Sequence, residues 1–160
     1  MNEYTDPNSI YFPVDCYLLI GPPASGKTSA SKRLARTKDA FIISTDTIRE
    51  SLYGLEEVQG DWKEIEPILH SQILDNISKG KSVIIDATNC NRKHREVLLK
   101  LDERINWTGY IFRTPLVTCY ARNKGRDRTV PMHVIYSMHH AMLAEPPSLE
   151  EGFKRLHTIH

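Results

Sequence analysis

The chain has 160 residues, 40% of them hydrophobic, and a net charge of +1. That suffices for one globular domain with a sizeable core and leaves no room for a second catalytic domain. Basic residues scattered among nearly as many acids give no global field for holding a long duplex, so any nucleic acid would be gripped locally. Three cysteines, Cys16, Cys90 and Cys119, form no C-x-x-C pair, which argues against a disulfide framework or a zinc site and for a reducing, cytoplasmic setting. The chain start lacks a basic segment followed by an apolar core, and no stretch approaches the ~18 apolar residues of a membrane span.

Residues 1–14 are polar, carry Pro7 and Pro13, and read as a loose arm before a folded domain at 15–160. Tyr17-Leu18-Leu19-Ile20 predicts a first buried strand. Directly after it, Gly21-Pro22-Pro23-Ala24-Ser25-Gly26-Lys27-Thr28 fits G-x-x-x-x-G-K-[ST] at every fixed position. A strand that enters such a loop and leaves it as a helix is the setting of a P-loop, with backbone N–H groups and the helix's positive end aimed at phosphate. Lys27 would reach the β- and γ-phosphates of ATP or another NTP, and the Thr28 hydroxyl would hold Mg²⁺.

The loop's helix continues through Ala35, and Phe41-Ile42-Ile43 predicts a second strand that ends where a helix starts, in Ser44-Thr45-Asp46-Thr47-Ile48-Arg49. Asp46 and Arg49 stand i, i+3, on one face of a helical turn. Such a pair reads either as a helix cap with an intrahelical ion pair, or as a carboxylate that takes a proton from an acceptor hydroxyl beside an arginine that grips an anion on the acceptor. Gly54 and Gly60 bracket a polar loop, beside which Tyr53 and Trp62 read as ordinary packing or as a platform for an acceptor base. Ile65, Leu69, Ile73 and Ile77 recur every four residues and predict an amphipathic helix, with Pro67 near its first turn and Gly80 at its end.

Val83-Ile84-Ile85-Asp86 predicts a third strand, and Asn91 could cap a helix that buries Val97, Leu98 and Leu101. Asp86, at the strand's end, would orient Mg²⁺ directly or through water, or cap a turn together with Thr88 and Asn89. Tyr110-Ile111-Phe112 makes a fourth strand, and a helix from about Pro115 runs into a basic stretch holding Arg122, Arg126 and Arg128. Guanidinium groups closing over a triphosphate would stabilise the charge that phosphoryl transfer spreads over oxygens. Pro131 opens another helix with Val134, Ile135, Met138 and Met142 inward, and Arg155–Ile159 alternates as an edge strand. His139 and His140 are adjacent, so they cannot share a helical face as metal ligands. Strands alternating with helices predict an α/β fold, a parallel five-stranded sheet covered on both faces, with its ligand crevice at the strands' carboxyl ends.

Four segments, GPPASGKT, STDTIR, VIIDATN with RKHRE, and RNKGRDRTVP, together resemble the 5′-polynucleotide kinase family, P-loop phosphotransferases that heal 5′-hydroxyl ends of DNA or RNA. EGFKRLHTI resembles that family's closing strand. The resemblance implies that Lys27 and Thr28 bind donor phosphates and Mg²⁺, Asp46 is the general base, Arg49 contacts the acceptor phosphate, and Arg122 and Arg126 are lid residues on the donor. Arg128 is spaced differently in relatives, as is the aspartate that corresponds to Asp86. With no D-x-D-G-T or K-x-D-G motif, the expectation is a stand-alone kinase with catalytic Lys27, Asp46 and Arg126. Asp46, Arg49, Asp86, Thr88 and Asn89 would face the acceptor. A small-molecule P-loop kinase, acting on a nucleoside, an adenylylsulfate-like compound, a sugar acid or a nucleotide-sugar, is the alternative within the fold; a regulatory NTP switch is the alternative outside catalysis.

Overall fold

Apolar runs long enough to be buried on both faces build the centre of the sheet. In the computed structural model, which describes residues 13–54, 60–126 and 129–160, β1 (Val14–Ile20) lies between β3 (Val83–Asp86) and β4 (Ile105–Phe112). β2 (Phe41–Ser44) and β5 (Arg155–Ile159) close the order β2-β3-β1-β4-β5, and every pairing is parallel. Side chains alternate across β1. Cys16, Leu18 and Ile20 enter the main core with Ile43, Ile85 and Trp107, whereas Tyr17 and Leu19 enter a smaller cluster with Ile84 and Phe112.

Helices cover both faces, as expected for parallel strands. The smaller cluster packs against α1 (Lys27–Lys38) through Ala30, Leu34 and Ala35. The main core takes α2 (Thr45–Tyr53), α3 (Trp62–Ser78), α4 (Arg92–Leu99) and the far end of α6 (Met132–Ala144). α5 (Leu116–Lys124) joins the start of α6 around a third, separate cluster of Cys119, Val130 and Ile135. All three cysteines are free and buried.

Several expectations are corrected in detail. β1 begins at Val14, one residue inside the expected arm, whose residues 1–12 lie outside the described residues, as do 55–59 of the Gly54–Gly60 loop. Pro67 sits in the second turn of α3 rather than the first, so the Lys63 carbonyl lacks the N–H that any other residue would donate. Val97 is exposed; the buried face of α4 is Leu98 and Arg95, three residues earlier.

Arg95 is fully buried and directs its guanidinium at four oxygens. Nε donates to Glu151 Oε1 (2.9 Å), Nη1 to the Asn89 and Cys90 carbonyls (3.1 and 3.0 Å), and Nη2 to the Glu145 carbonyl (2.8 Å). Glu151 is equally buried, in a 3-10 turn (Leu149–Glu151), and its other oxygen accepts from the Ser148 N–H. Removing one partner of a buried pair leaves the other charge without compensation. Arg95→Met is therefore expected to cost about 3–5 kcal/mol in urea unfolding, and adding Glu151→Leu to it should recover part of that loss.

Candidate active site

The loop after β1 takes the shape its sequence predicts, for local steric reasons. Gly26 caps α1 at φ 102°, and Ala24 is also left-handed at φ 62°, a turn that lets successive N–H groups point inward. A Cβ on Gly21 would lie 2.7 Å from Ser25 Oγ and 2.9 Å from Phe112 Cβ. The Gly21 N–H donates to the Thr88 carbonyl (2.9 Å), and Thr114 Oγ1 donates to the Ser25 carbonyl (2.8 Å), so both neighbouring strand ends hold the loop. The first turn of α1 has no acidic residue, which leaves its positive end for an anion.

Lys27 is buried beneath the loop, with Nζ donating to the Pro22 carbonyl (2.7 Å) and Ser25 Oγ (3.4 Å). Burial lowers its pKa, against the opposing influence of neighbours that include Cys90 and Asp86. Thr28 Oγ1 donates to Asp86 Oδ2 at 3.2 Å. Burial raises the Asp86 pKa, while the Lys27 charge and the Thr28 hydroxyl oppose the rise.

At the start of α2 the structure separates two roles that the sequence leaves together. Ser44 is the N-cap, its side chain accepting from the Thr47 N–H, whereas Asp46 stands inside the first turn. Arg49 Nη1 reaches Asp46 Oδ1 and Thr45 Oγ1, both at 3.2 Å. The guanidinium is the more buried partner, 16% exposed against 38% for the carboxylate.

These groups meet around one cavity of about 410 Å³. Pro23, Ala24, Gly26, Lys27 and Thr28 line one side, and Asp46, Arg49, Asp86 and Thr88 line another. Arg122, in the last turn of α5, and Arg126, just after that helix, also line it, and Val130, Val134 and Met138 form an apolar wall. Arg122 Nη1 would be 3.4 Å from a Cβ on Gly26, so it leans directly over the loop. Arg128 lies outside the described residues.

Asn89, expected beside the acceptor, has another use. It is buried at φ 50°, and Nδ2 donates to the Leu19 carbonyl (2.7 Å) and the Ala87 carbonyl (3.3 Å), fastening the end of β3 to β1. Tyr53 is bonded to Glu64 and to the Asp61 N–H, and Trp62 stacks on His94, away from the cavity lining. His140 stacks on Tyr136. Asn123 stands in the RNKGRDRTVP segment with no role predicted for it, yet its Nδ2 donates to the Val130 carbonyl (2.8 Å) and its Oδ1 accepts from the Val130 N–H (2.9 Å). This side chain closes the base of the loop that carries Arg126. Its signal was helical spacing from Cys119, the other buried residue of α5.

A hydroxyl and a carboxylate oxygen side by side, Thr28 and Asp86, are hard donors of the kind Mg²⁺ prefers. Among the described residues no cluster of three or more His, Cys, Asp or Glu forms a metal cage. The donor set therefore fits an ion that takes its remaining ligands from phosphate and water.

A family model described as "AAA domain" matches residues 17–147. The chain belongs to this AAA domain family. The match contains the P-loop, Asp46, Arg49, Asp86 and the described lid arginines. Among solved structures, the domain superposes with a TM-score of 0.75 on a chain of the Pnkp1/Rnl/Hen1 RNA repair complex, at 18% identity over 86% of this chain and 46% of that one. Kti12 of Chaetomium thermophilum in complex with ADP-AlF3 gives 0.71, at 17% identity over 90% of this chain and 88% of that one. In sequence, a shikimate kinase of Leptospira borgpetersenii serovar Hardjo-bovis (strain JB197) is 31% identical over 77 residues, 44% of this chain and 42% of that protein. The chain thus spans less than half the length of the shikimate kinase and of the RNA repair protein. The likeness in structure is one of fold, and the fold is that of P-loop kinases, in agreement with the resemblance carried by the motifs.

Lys27 is buried at a desolvation cost that the Pro22 carbonyl and the Asp86 charge offset in part and an anion in the cavity would offset further. Lys27→Met is expected to keep or raise the thermal midpoint of this AAA domain while removing its Mg·ATP binding, measured by thermal unfolding and by calorimetric titration.

Proposed function

We propose that the domain is a Mg²⁺-dependent 5′-hydroxyl polynucleotide kinase, moving the γ-phosphate of ATP or another NTP to the 5′-end of a DNA or RNA strand in end healing. The observation that carries this reading is the make-up of one cavity: phosphate-binding groups on one side, the Asp46–Arg49 pair on another, and an apolar wall of Val130, Val134 and Met138. An acceptor with one reactive hydroxyl, a neighbouring anion and a flat apolar base matches all three. A sugar acid or a shikimate-like acceptor also carries an anion for Arg49, and the shikimate kinase relative favours that rival. Thr45 and Thr88 could serve some of its hydroxyls, but the Val130, Val134 and Met138 wall could serve none.

In this mechanism Arg49 holds the phosphate on the 3′ side of the acceptor sugar and places the 5′-hydroxyl beside Asp46. As the new O–P bond forms and the bond from the γ-phosphorus to the bridging oxygen breaks, Asp46 accepts the hydroxyl proton and the nucleoside diphosphate leaves. Lys27, Arg122 and Arg126 stabilise the charge on the donor oxygens, and the lid excludes water. Mg²⁺, held by Thr28 and Asp86 with phosphate and water, would neutralise donor charge. The free thiols fit a cytoplasmic site for this activity, and among the described residues no helix is long and apolar enough to cross a membrane.

Two measurements test the acceptor side. With labelled ATP, a nucleoside 3′-monophosphate should be used at least roughly tenfold better in kcat/KM than the bare nucleoside, and Arg49→Ala should erase the difference; equal rates, or label entering only a polyhydroxy acid, would give the site to a small molecule. Asp46→Asn preserves size and much of the hydrogen bonding while removing basicity. It should keep Mg·ATP binding and lose on the order of 10²-fold or more in single-turnover rate at saturating substrates.

A further inference from the structure

The topology brings a second pair of side chains to the edge of the sheet that bears the cavity. α3 runs into the parallel strand β3, so it travels from the carboxyl edge to the amino edge, and its first residue, Trp62, lies at the carboxyl edge. α4 leaves the carboxyl end of β3, so His94, near its start, lies there too. The two rings stack with centroids 4.7 Å apart and planes inclined by 22°. Both are half-buried, and the indole N–H donates to Glu66 one turn along α3, which fixes the ring's orientation. Burial lowers the His94 pKa, against the Glu66 charge, which favours a neutral imidazole at neutral pH.

The stack lies on the acceptor half of the sheet, with β2 and β3, outside the lining of the cavity. A flat, uncharged aromatic pair suits a nucleobase, and stacking tolerates any base because every base has a π-face. It also supplies the local grip that a chain with a net charge of +1 requires.

We propose that the Trp62–His94 stack is a second acceptor subsite, on which a nucleobase downstream of the reacting 5′-nucleotide stacks. The inference rests on the reading of the acceptor as a nucleic-acid strand. Neither ring lines the cavity, so a small-molecule acceptor held there does not need the stack.

The chain carries its own probe. Of its two tryptophans, Trp107 is buried in the core at 1% exposure, so a ligand that changes indole emission by contact reports Trp62. The wild-type protein is titrated with 5′-phosphorylated oligonucleotides of graded length, which need no turnover. Quenching is expected with strands of several nucleotides and not with a mononucleotide, and it should disappear in Trp62→Phe. In steady-state assays His94→Ala and Trp62→Ala should raise the ratio of KM for an oligonucleotide to KM for a nucleoside 3′-monophosphate about tenfold, with kcat unaltered. Because Trp62 also packs on the core, the surface variant His94→Ala decides if Trp62→Ala does not fold. No quenching of the wild-type protein by any strand, or KM rising equally for both acceptors, overturns the subsite. Quenching by strands whose 5′-hydroxyl counterparts are never phosphorylated would keep the subsite and overturn the kinase reading instead.

Discussion

Parallel pairing of β1 with β3 is the constraint on which the site depends. The register sets Leu18 opposite Ile85, so the two strands end side by side and their chains turn off at the same edge. Two hydrogen bonds stitch the two turns together, the Gly21 N–H to the Thr88 carbonyl and the Asn89 side-chain amide to the Leu19 carbonyl. As a result Thr28 and Asp86, 58 residues apart in sequence, meet at 3.2 Å. β2 adds itself on the far side of β3 with Ser44 opposite Asp86, and that register delivers the first turn of α2 to the same crevice. An antiparallel β3 would send Asp86 to the opposite edge and leave Thr28 facing solvent.

Charge inside this edge is tolerated because it is arranged in opposing pairs. Burial disfavours the charged form of both Lys27 and Asp86, and each charge moderates the shift of the other. The Arg95–Glu151 pair is deeper still, and well-packed apolar residues of the same volume often stabilise a core as much as such a pair does. A hydrophobe there has no means of fixing carbonyl directions. The guanidinium fork holds the carbonyls of Asn89 and Cys90, just past the cavity-lining Thr88, and of Glu145, just past the end of α6. The pair thus links the turn after β3 to the helix that carries Val134 and Met138 of the apolar wall. Its contribution is geometry more than net stability.

Elements whose cause is local were legible in the sequence. The four apolar runs and the alternating fifth strand, the glycine pattern of the phosphate loop, the Asn91 cap and the proline starts of α5 and α6 each depend on neighbours within a few residues. What escaped depends on partners that have no letter of their own. Asn123 and Asn89 bond to backbone groups of Val130 and Leu19, and any sequence offers such groups everywhere. Ser44 and Asp46 are both capping residue types, two positions apart, so only the observed end of β2 decides which one caps. Val97 read as core because it is apolar, while the buried place on α4 went to Arg95, whose charge is balanced by a residue 56 positions away.

The lid shows how one helix serves two bodies. Cys119, Val130 and Ile135 form a cluster separate from the main core, with Leu116, Tyr120 and Val134 around it. α6 contributes Ile135 to that small cluster and Met142 to the large one. The start of α6 is therefore held by a small apolar cluster and its far end by the main core. The asymmetry follows from burial, which scales with contact area. Asn123 then matters more than its size suggests, because its two hydrogen bonds to Val130 fasten the last turn of α5 to the residue that precedes the proline start of α6.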